Sequence, residues 1–159
     1  MLKTLLHAFA ALLLAASISA ADLATKKALT LELAKGIASA AEAHAKANNW
    51  NVVIAILDDG GHLLYLERMD DVQTGSILVA QRKAESAASF RRPTKVFSDG
   101  VGSRVQLVSL PGAFAFEGGL PITWEGKVIG AIGVSGVTAA QDGMIAKAGV
   151  EALAKLVGN

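Results

Sequence analysis

Apolar residues recur at the spacing of one helical face in three segments of the chain. The first segment extends from Asp22 to Asn48, with Asp22 as the expected N-cap, and the second extends from Thr74 to Arg92. The third begins at Thr138, which together with Gln141 has the spacing of a capping box. We therefore predict three main helices, with short helical turns in the irregular crossover that follows the second one.

Five shorter segments are rich in branched and aromatic residues and predict β-strands. They are Trp50–Leu57, Leu63–Met69, Ala113–Phe116, Leu120–Trp124 and Lys127–Ser135. Turns that contain glycine join the first two strands at residues 58–62 and the last two at residues 125–126, so both pairs are expected to form hairpins. Both faces of the first strand are apolar, which predicts a central strand covered on both sides.

Hairpins, rather than repeated strand-helix-strand units, dominate this order of elements, and hairpins build antiparallel sheets. We predict a single α+β domain in which helices lie beside an antiparallel sheet. In the last strand, Gly130, Ala131 and Gly133 remove side chains where a strand normally carries bulky ones. A helix, a second subunit or a flat ligand is therefore expected to come close to the sheet there.

Residues 1–21 have the three-part form of a secretory signal peptide. Lys3 precedes an apolar run from Leu5 to Ala16, and small residues follow from Ser17 to Ala21. The apolar run is too short and too rich in alanine for a comfortable membrane span. We predict cleavage after this stretch, which leaves a mature domain of residues 22–159 in the periplasm or outside the cell.

Composition narrows the range of functions. Fifteen basic and fourteen acidic residues leave the chain near neutrality, which argues against nucleic-acid binding. The chain has no cysteine, so disulfides, thiolate metal sites, covalent c-type haem and cysteine nucleophiles are excluded. Apolar residues make up 52% of the chain and charged residues only 18%, and we expect such a chain to hide further surface in a homo-oligomer.

Histidine chemistry in the predicted mature domain depends on two residues, His44 and His62. His62 follows two aspartates in the first hairpin turn, where it is either a ligand for a metal or a haem iron, or a solvated turn residue. His44 continues the apolar stripe of the first helix and is expected to face the core or whatever the helix covers. Tyr65, Met69 and Met144 are the other side chains that could reach an iron, with packing in the core as the alternative.

Two cations, Arg68 and Lys83, occupy positions among apolar residues, where a charge needs an acidic partner or an anionic ligand. They are expected either to bind a carboxylate, including a haem propionate, or to pair with Glu67, Glu85 or Asp70. Signals for an enzyme are weak, because the glycine-rich last strand lacks the second glycine of a nucleophile elbow. An enzyme is therefore the less favoured class.

Several motifs follow one another in a specific order along the chain. They are Asp58-Asp59-Gly60-Gly61-His62-Leu63, Arg68-Met69-Asp70, Ala80-Gln81-Arg82-Lys83-Ala84, Pro93-Thr94, Gly118-Gly119-Leu120-Pro121-Ile122, Gly126-Lys127-Val128-Ile129-Gly130-Ala131-Ile132-Gly133-Val134-Ser135-Gly136 and Gln141-Asp142. With this ordered set the chain resembles the GlcG/HbpS-like family of haem-binding proteins, whose relatives include the C-terminal domain of PduO-type proteins. The resemblance covers nearly the whole predicted mature domain.

This resemblance implies a single profilin-like α+β domain with a five-stranded antiparallel sheet flanked by helices, assembled into dimers or larger rings. It implies haem or another tetrapyrrole as the ligand and, for exported members, haem capture or oxidative-stress sensing beside a membrane sensor kinase. The ligand-binding positions carried over from the family are Arg68, Lys83, Thr94, Gly118, Gly119, Ser135 and Gly136. Some relatives ligate haem through a histidine near the N-terminal helix, and only His44 is available there in this chain.

Three functions follow from these observations. The first is an exported, non-enzymatic protein that holds haem noncovalently in a shallow groove at a subunit contact, with a cation near the propionates and weak axial ligation by His44 or His62. The second is a protein or enzyme that acts on a small carboxylate, with Arg68 or Lys83 as the anion clamp. The third is an interaction module that regulates a membrane partner without a ligand.

Overall fold

The computed structural model describes residues 21–158. Its elements in chain order are α1 (Leu31–Ala47), β1 (Val53–Asp58), β2 (Leu63–Arg68), α2 (Gly75–Phe90), α3 (Lys95–Gly100), a 3-10 turn (Val105–Ser109), β3 (Gly119–Trp124), β4 (Lys127–Ser135) and α4 (Ala139–Leu156). The predicted signal peptide falls almost entirely on residues 1–20, outside the described part of the chain. None of the described helices is long and apolar enough to cross a membrane.

The four strands form one antiparallel sheet in the order β2-β1-β4-β3. As the apolar pattern predicts, β1 is central, and it is buried from Val53 to Leu57. Val53 lies opposite Arg68 on one side and opposite Ser135 on the other, which fixes the register of both pairings. Directly opposed residues share a face of a sheet, so these three positions lie on the same face.

Helices cover the sheet on both faces. The α2 helix packs on one face against an alanine-rich cluster. The buried members of this cluster are Val53, Ala55, Leu57, Val72, Ala80, Ala84, Ala87, Ala88 and Ala131. On the other face, α1 and α4 pack against each other and over Ile54, Ile56 and Ile132. The core is therefore two thin apolar layers with the sheet between them, as predicted for an α+β layer fold.

Two glycines of β4, Gly130 and Gly133, lie in close contact with other parts of the chain. A Cβ atom on Gly133 would overlap the carbonyl oxygen of Ala80 and lie 2.6 Å from the backbone nitrogen of Ala84, so α2 lies directly on the strand. A Cβ on Gly130 would lie 2.9 Å from the Leu29 side chain, which is buried there. Of the three partners expected beside these glycines, the structure therefore provides a helix at Gly133.

The prediction of a five-stranded sheet is wrong, because residues 113–116 do not form a strand. The backbone N–H of Phe114 donates to Ser86 Oγ (3.0 Å) instead of to a neighbouring strand. Regular pairing with β4 starts only near Gly118, whose carbonyl accepts the N–H of Val134 (2.9 Å).

The first helix begins later than predicted, at Leu31 rather than near Asp22. Thr30 is the N-cap, and its hydroxyl accepts the N–H of Leu33 (3.2 Å). The preceding residues have no regular secondary structure, and among them Lys26 is ion-paired with Asp59 (2.7 Å). The predicted capping box of α4 is present, since Thr138 and Gln141 exchange hydrogen bonds.

Candidate functional site

A buried ion pair lies where α2, the end of β4 and the start of α4 meet. Lys83 Nζ donates to Asp142 Oδ2 at 2.6 Å and to the carbonyl oxygen of Val134 at 2.8 Å. Each of the two charged side chains is only 3% exposed. Of the two roles predicted for Lys83, an anion-binding residue or a member of an ion pair, the structure shows an ion pair. The acidic partner is Asp142 rather than the predicted Glu67, Glu85 or Asp70.

Burial governs the protonation of this pair. It lowers the pKa of Lys83 and raises the pKa of Asp142, because each charged form loses its hydration in the interior. The mutual hydrogen bond and charge attraction act on both groups in the opposite direction and favour the ionised pair. Asp142 also accepts a hydrogen bond from the backbone N–H of Val137 (3.3 Å). The same carboxylate therefore binds both Lys83 and the turn that precedes α4.

Backbone without side chains surrounds the ion pair. Gly118 has a left-handed backbone (φ 122°), and a Cβ there would lie 2.8 Å from both Lys83 Nζ and Asp142 Cβ. The N–H of Gly119 donates to Thr94 Oγ1 (2.9 Å), and the N–H of Thr94 donates back to the carbonyl of Gly119 (3.0 Å). Thr94 is fully buried, so these bonds join the segment after α2 to the start of β3.

Ser135 and Gly136 continue this packed region along β4. Ser135 Oγ donates to Ser76 Oγ (3.2 Å) in the first turn of α2. A Cβ on Gly136 would overlap the carbonyl oxygen of Asn51. The structure therefore gathers six of the seven predicted ligand-binding residues around one junction. Thr94 and Gly119 bond to each other there, while Lys83 bonds to Asp142 and Ser135 to Ser76.

Arg68, the seventh predicted residue, lies apart on edge strand β2 and is exposed. It lines an open cavity of about 630 Å³ between α1 and β2, which we call the edge cavity. Its lining residues are Glu42, Lys46, Asn49, Asn51, Glu67, Arg68, Met69 and Asp70. Arg68 has no ion pair with any residue of the described range 21–158.

Acidic side chains set the charge of the edge cavity. Glu42 pairs with Lys46 (2.5 Å), and this hydrogen bond lowers the pKa of Glu42. Glu67 accepts the hydroxyl of Tyr65 at 3.0 Å, yet desolvation raises the pKa of the Glu67 carboxyl. The lining of the edge cavity thus contains three acidic residues (Glu42, Glu67 and Asp70) and two cations (Lys46 and Arg68). Arg68 is the cation of this cavity that has no ion pair with a residue of the described range.

The two histidines occupy different surroundings. His44 is half-buried on α1, with its ring centroid 6.2 Å from that of Trp50 and the planes tilted by 57°. His62 is at the first hairpin turn with its ring 83% exposed, and its Nδ1 lies 3.4 Å from Asp58 Oδ1. Asp58 accepts the backbone N–H groups of Gly60 and His62, and the latter bond is the main cause of its lowered pKa. His62 is thus held beside a turn carboxylate.

The sequence reasoning did not find Asp142, although its position carried a signal. Asp142 follows the predicted capping box in the first turn of α4, where an acid is favoured by the helix dipole. Its pairing with Lys83 spans 59 residues, and no local pattern reports such a contact. Within residues 21–158, no group of three or more histidine, aspartate and glutamate side chains is placed to hold a metal ion.

Sequence comparison gives clear relatives. The model of a family described as haem-degrading protein HbpS-like matches residues 29–151. The protein GlcG of Escherichia coli strain K12 is 45% identical over 112 residues, which is 70% of this chain and 84% of GlcG. An uncharacterized 15.0 kDa protein from the dhaT-dhaS intergenic region of Citrobacter freundii is 38% identical over 133 residues, covering 80% of this chain and 94% of that protein.

Solved structures share the fold. A double mutant of Streptomyces reticuli HbpS is 32% identical, with a TM-score of 0.77, over 87% of this chain and 97% of the HbpS chain. The complex of PduOC with haem is 27% identical, with a TM-score of 0.72, over 79% of this chain and 95% of the PduOC chain. Both likenesses cover most of the described domain.

Proposed function

This chain belongs to the HbpS-like family, and from that premise we propose that it is an exported protein that binds haem noncovalently. The observation that carries the proposal is the family match over residues 29–151, supported by the shared fold of a relative that was solved with haem. Family membership alone does not fix a ligand, so the residues of this chain have to fit one.

His44 is the residue that best fits the haem iron. It is half-buried, and its imidazole makes no hydrogen bond to any residue of the described range, so a ring nitrogen is free to ligate. The neighbouring Trp50 supplies a flat apolar surface of the kind on which a porphyrin packs. His62 is the second candidate, but its exposed ring has only the Asp58 carboxylate beside it.

The propionates of haem need a cation that is not already neutralised. Lys83 is bound by Asp142 and Lys46 is bound by Glu42, whereas Arg68 has no acidic partner in residues 21–158. Arg91 and Lys127 also lack an acidic partner in that range, but Arg68 lines the cavity beside α1, the helix that carries His44, so we assign Arg68 the propionate role. The edge cavity is not lined by a histidine, so haem ligated by His44 would lie on a shallow surface. A second copy of the chain would cover it.

Exposed apolar residues provide a surface through which two copies of the chain could associate, as this proposal requires. Five exposed apolar side chains occur in the segment between α2 and β3, at Val96, Val105, Val108, Leu110 and Phe116. These side chains are between 38% and 64% exposed, and burying such surface between two copies favours a homo-oligomer. A shared haem would then depend on the oligomer as well as on the ligand residues.

When bound, haem would supply its iron for axial ligation and oxidation chemistry, while the chain holds and shields it. Capture of haem outside the cell and sensing of oxidative stress beside a membrane sensor partner are both uses of such a protein. The resemblance implies both for exported members of the family, and the predicted leader at residues 1–21 would place this domain in the periplasm or outside the cell.

Paired histidine variants test the assignment of the iron ligand. We expect His44→Ala to shift or abolish the Soret band of the haem-loaded protein, and His62→Ala to leave the band in place. Arg68→Ala should weaken haem affinity without moving the band, because it removes a propionate contact and no iron ligand. Unchanged Soret spectra in both histidine variants would contradict histidine ligation. A band that forms and then decays with release of iron would assign haem degradation, as the family description suggests.

The carboxylate alternative has its own signature. Lys83 is already bound by Asp142, so a small carboxylate would rely on Arg68 as its clamp. Organic acids should then raise the melting temperature, and Arg68→Ala should abolish this effect while histidine variants retain it. A protein that responds to neither haem nor organic acids would fit a regulatory module without a ligand.

A further inference from the structure

A second cavity lies at the far end of the sheet from Ser135, around the turn between β3 and β4. It has a volume of about 830 Å³, and we call it the hairpin-end cavity. Three parts of the chain form it: the extended residues 25–27, the hairpin residues 123–129 and Arg91 at the end of α2, with Asp59 beside them. No histidine, no residue of the Lys83 junction and no residue of the edge cavity lines it.

The hairpin-end cavity has an excess of positive charge. Four cationic side chains line it, together with two acidic ones. Each acid is already paired with one of the cations. Lys26 Nζ lies 2.7 Å from Asp59 Oδ2, and Lys27 Nζ lies 3.1 Å from Glu125 Oε2. Arg91 and Lys127 are the remaining two cations, and neither has an acidic partner in the described residues 21–158.

The backbone conformation of Arg91 is set by the way in which α2 ends. It has a left-handed backbone (φ 52°, ψ 39°) at the C-cap position, a conformation that is uncommon for residues other than glycine. The next residue, Arg92, donates from Nε to the carbonyl oxygen of Phe90 at 3.2 Å and so satisfies the end of the helix. Arg91 takes no part in that bond and is one of the residues that line the hairpin-end cavity.

The other walls suit a small organic ligand rather than a bare ion. The half-buried indole of Trp124 provides an aromatic wall, and Lys27 Nζ lies 5.8 Å from its ring centroid. Thr25 and Thr123 add hydroxyl groups that can donate to an oxyanion. The Glu125–Gly126 turn, with both residues at positive φ, keeps the hairpin tight at the rim.

We propose that the hairpin-end cavity binds a small, multiply charged oxyanion, either a polycarboxylate or a phosphate compound, between Arg91 and Lys127. The guanidinium fork of Arg91 binds one oxyanion group in a bidentate manner, and Lys127 acts as a point charge for a second group. Trp124 packs against the body of the ligand. This site uses none of the residues assigned to haem, so it stands whether or not haem binds.

Tryptophan fluorescence tests this site directly because the chain has two tryptophans, and only Trp124 lines the cavity. The variant Trp50→Phe is titrated separately with pyrophosphate and with citrate at constant ionic strength. A saturable change in Trp124 emission is expected with at least one of them. Saturation by pyrophosphate alone assigns a phosphate compound, and saturation by citrate alone assigns a polycarboxylate.

Charge variants in the same background separate a site from general attraction to a basic surface. Arg91→Ala and Lys127→Ala should each weaken binding about tenfold or more, and Arg91→Lys should fall between Arg91→Ala and the parent because it keeps the charge but loses the fork. Lys147→Ala is the matched control, since Lys147 is an exposed lysine on α4 beside Glu151. Circular dichroism confirms that each variant is folded. The proposal is overturned if neither anion gives a saturable change, or if Lys147→Ala weakens binding as much as Lys127→Ala.

Discussion

Replacement of Lys83 by methionine should destabilise the domain by an amount that depends on pH. The substitution keeps an apolar chain of similar length in the α2 packing but leaves Asp142 buried, with the hydrogen bond from the Val137 N–H at 3.3 Å and no ammonium partner. Removing one partner of a buried ion pair typically costs about 3 to 5 kcal/mol. The carboxyl can reduce this cost only by taking up a proton.

The cost of that proton sets the size and sign of the pH effect. An ordinary aspartate has a pKa of about 3.9, so keeping Asp142 protonated at pH 7 costs about 4 kcal/mol, and at pH 5 about 1.5 kcal/mol. Burial already raises the pKa of Asp142 in the parent protein. In the variant, the folded state binds a proton that the unfolded state releases, so stability should rise as pH falls from 7 to 5.

Urea unfolding at pH 7 and at pH 5, followed by circular dichroism, measures this effect. The free energy of unfolding of Lys83→Met should be about 3 to 4 kcal/mol below that of the parent at pH 7, with a smaller difference at pH 5. The double variant with Asp142→Asn should recover much of the loss, because no buried charge remains. A loss under about 1 kcal/mol at pH 7, or one that is equal at both pH values, would refute the reasoning.

Three further predictions concern other contacts. Gly133→Ala should lower the free energy of unfolding by about 1 to 3 kcal/mol, because the new Cβ would overlap the Ala80 carbonyl oxygen. Gly75→Ala is the matched control, since a Cβ at Gly75 meets nothing within 4 Å. Equal effects of the two substitutions in thermal unfolding would contradict the close packing of α2 on β4. Thr138→Ala should lower stability by about 1 kcal/mol, and Thr138→Ser should restore it if the cap is responsible. Asp58→Ala should cost about 1 to 2 kcal/mol at pH 7. Since the pKa of Asp58 is lowered in the folded state, this stabilisation is present above about pH 4 and is lost as the pH falls further. A stability difference between the parent and Asp58→Ala that stays constant down to low pH would contradict this prediction.

Local signals predicted much of the fold correctly. The hairpin turns and the capping box of α4 depend on contacts between residues close in sequence, and the central position of β1 was indicated by its two apolar faces. The resemblance to the GlcG/HbpS-like family, which rested on an ordered set of motifs, is confirmed by the family match. Glycines in β4 correctly indicated a close approach, but the pattern did not decide between a helix, a subunit and a ligand.

The errors occurred where distant contacts override local preference. Residues 113–116 have the composition of a strand, yet the backbone N–H of Phe114 donates its hydrogen bond to Ser86 Oγ of α2. Asp22 is a good N-cap residue, but the helix starts only after Thr30, and Lys26 in the irregular segment before it pairs with the distant Asp59. Lys83 was correctly expected to need a partner. Sequence spacing could not indicate Asp142, because the sheet brings the two together.

Haemin titration of residues 22–159, which contain every described helix and strand, tests haem binding most directly. Absorbance would be followed through the Soret region, and size-exclusion chromatography would report the oligomer at each step. We predict a saturable Soret shift with a fixed haem-to-chain stoichiometry on an intact oligomer. Binding that never saturates, or haem that elutes apart from the protein, would contradict the proposal.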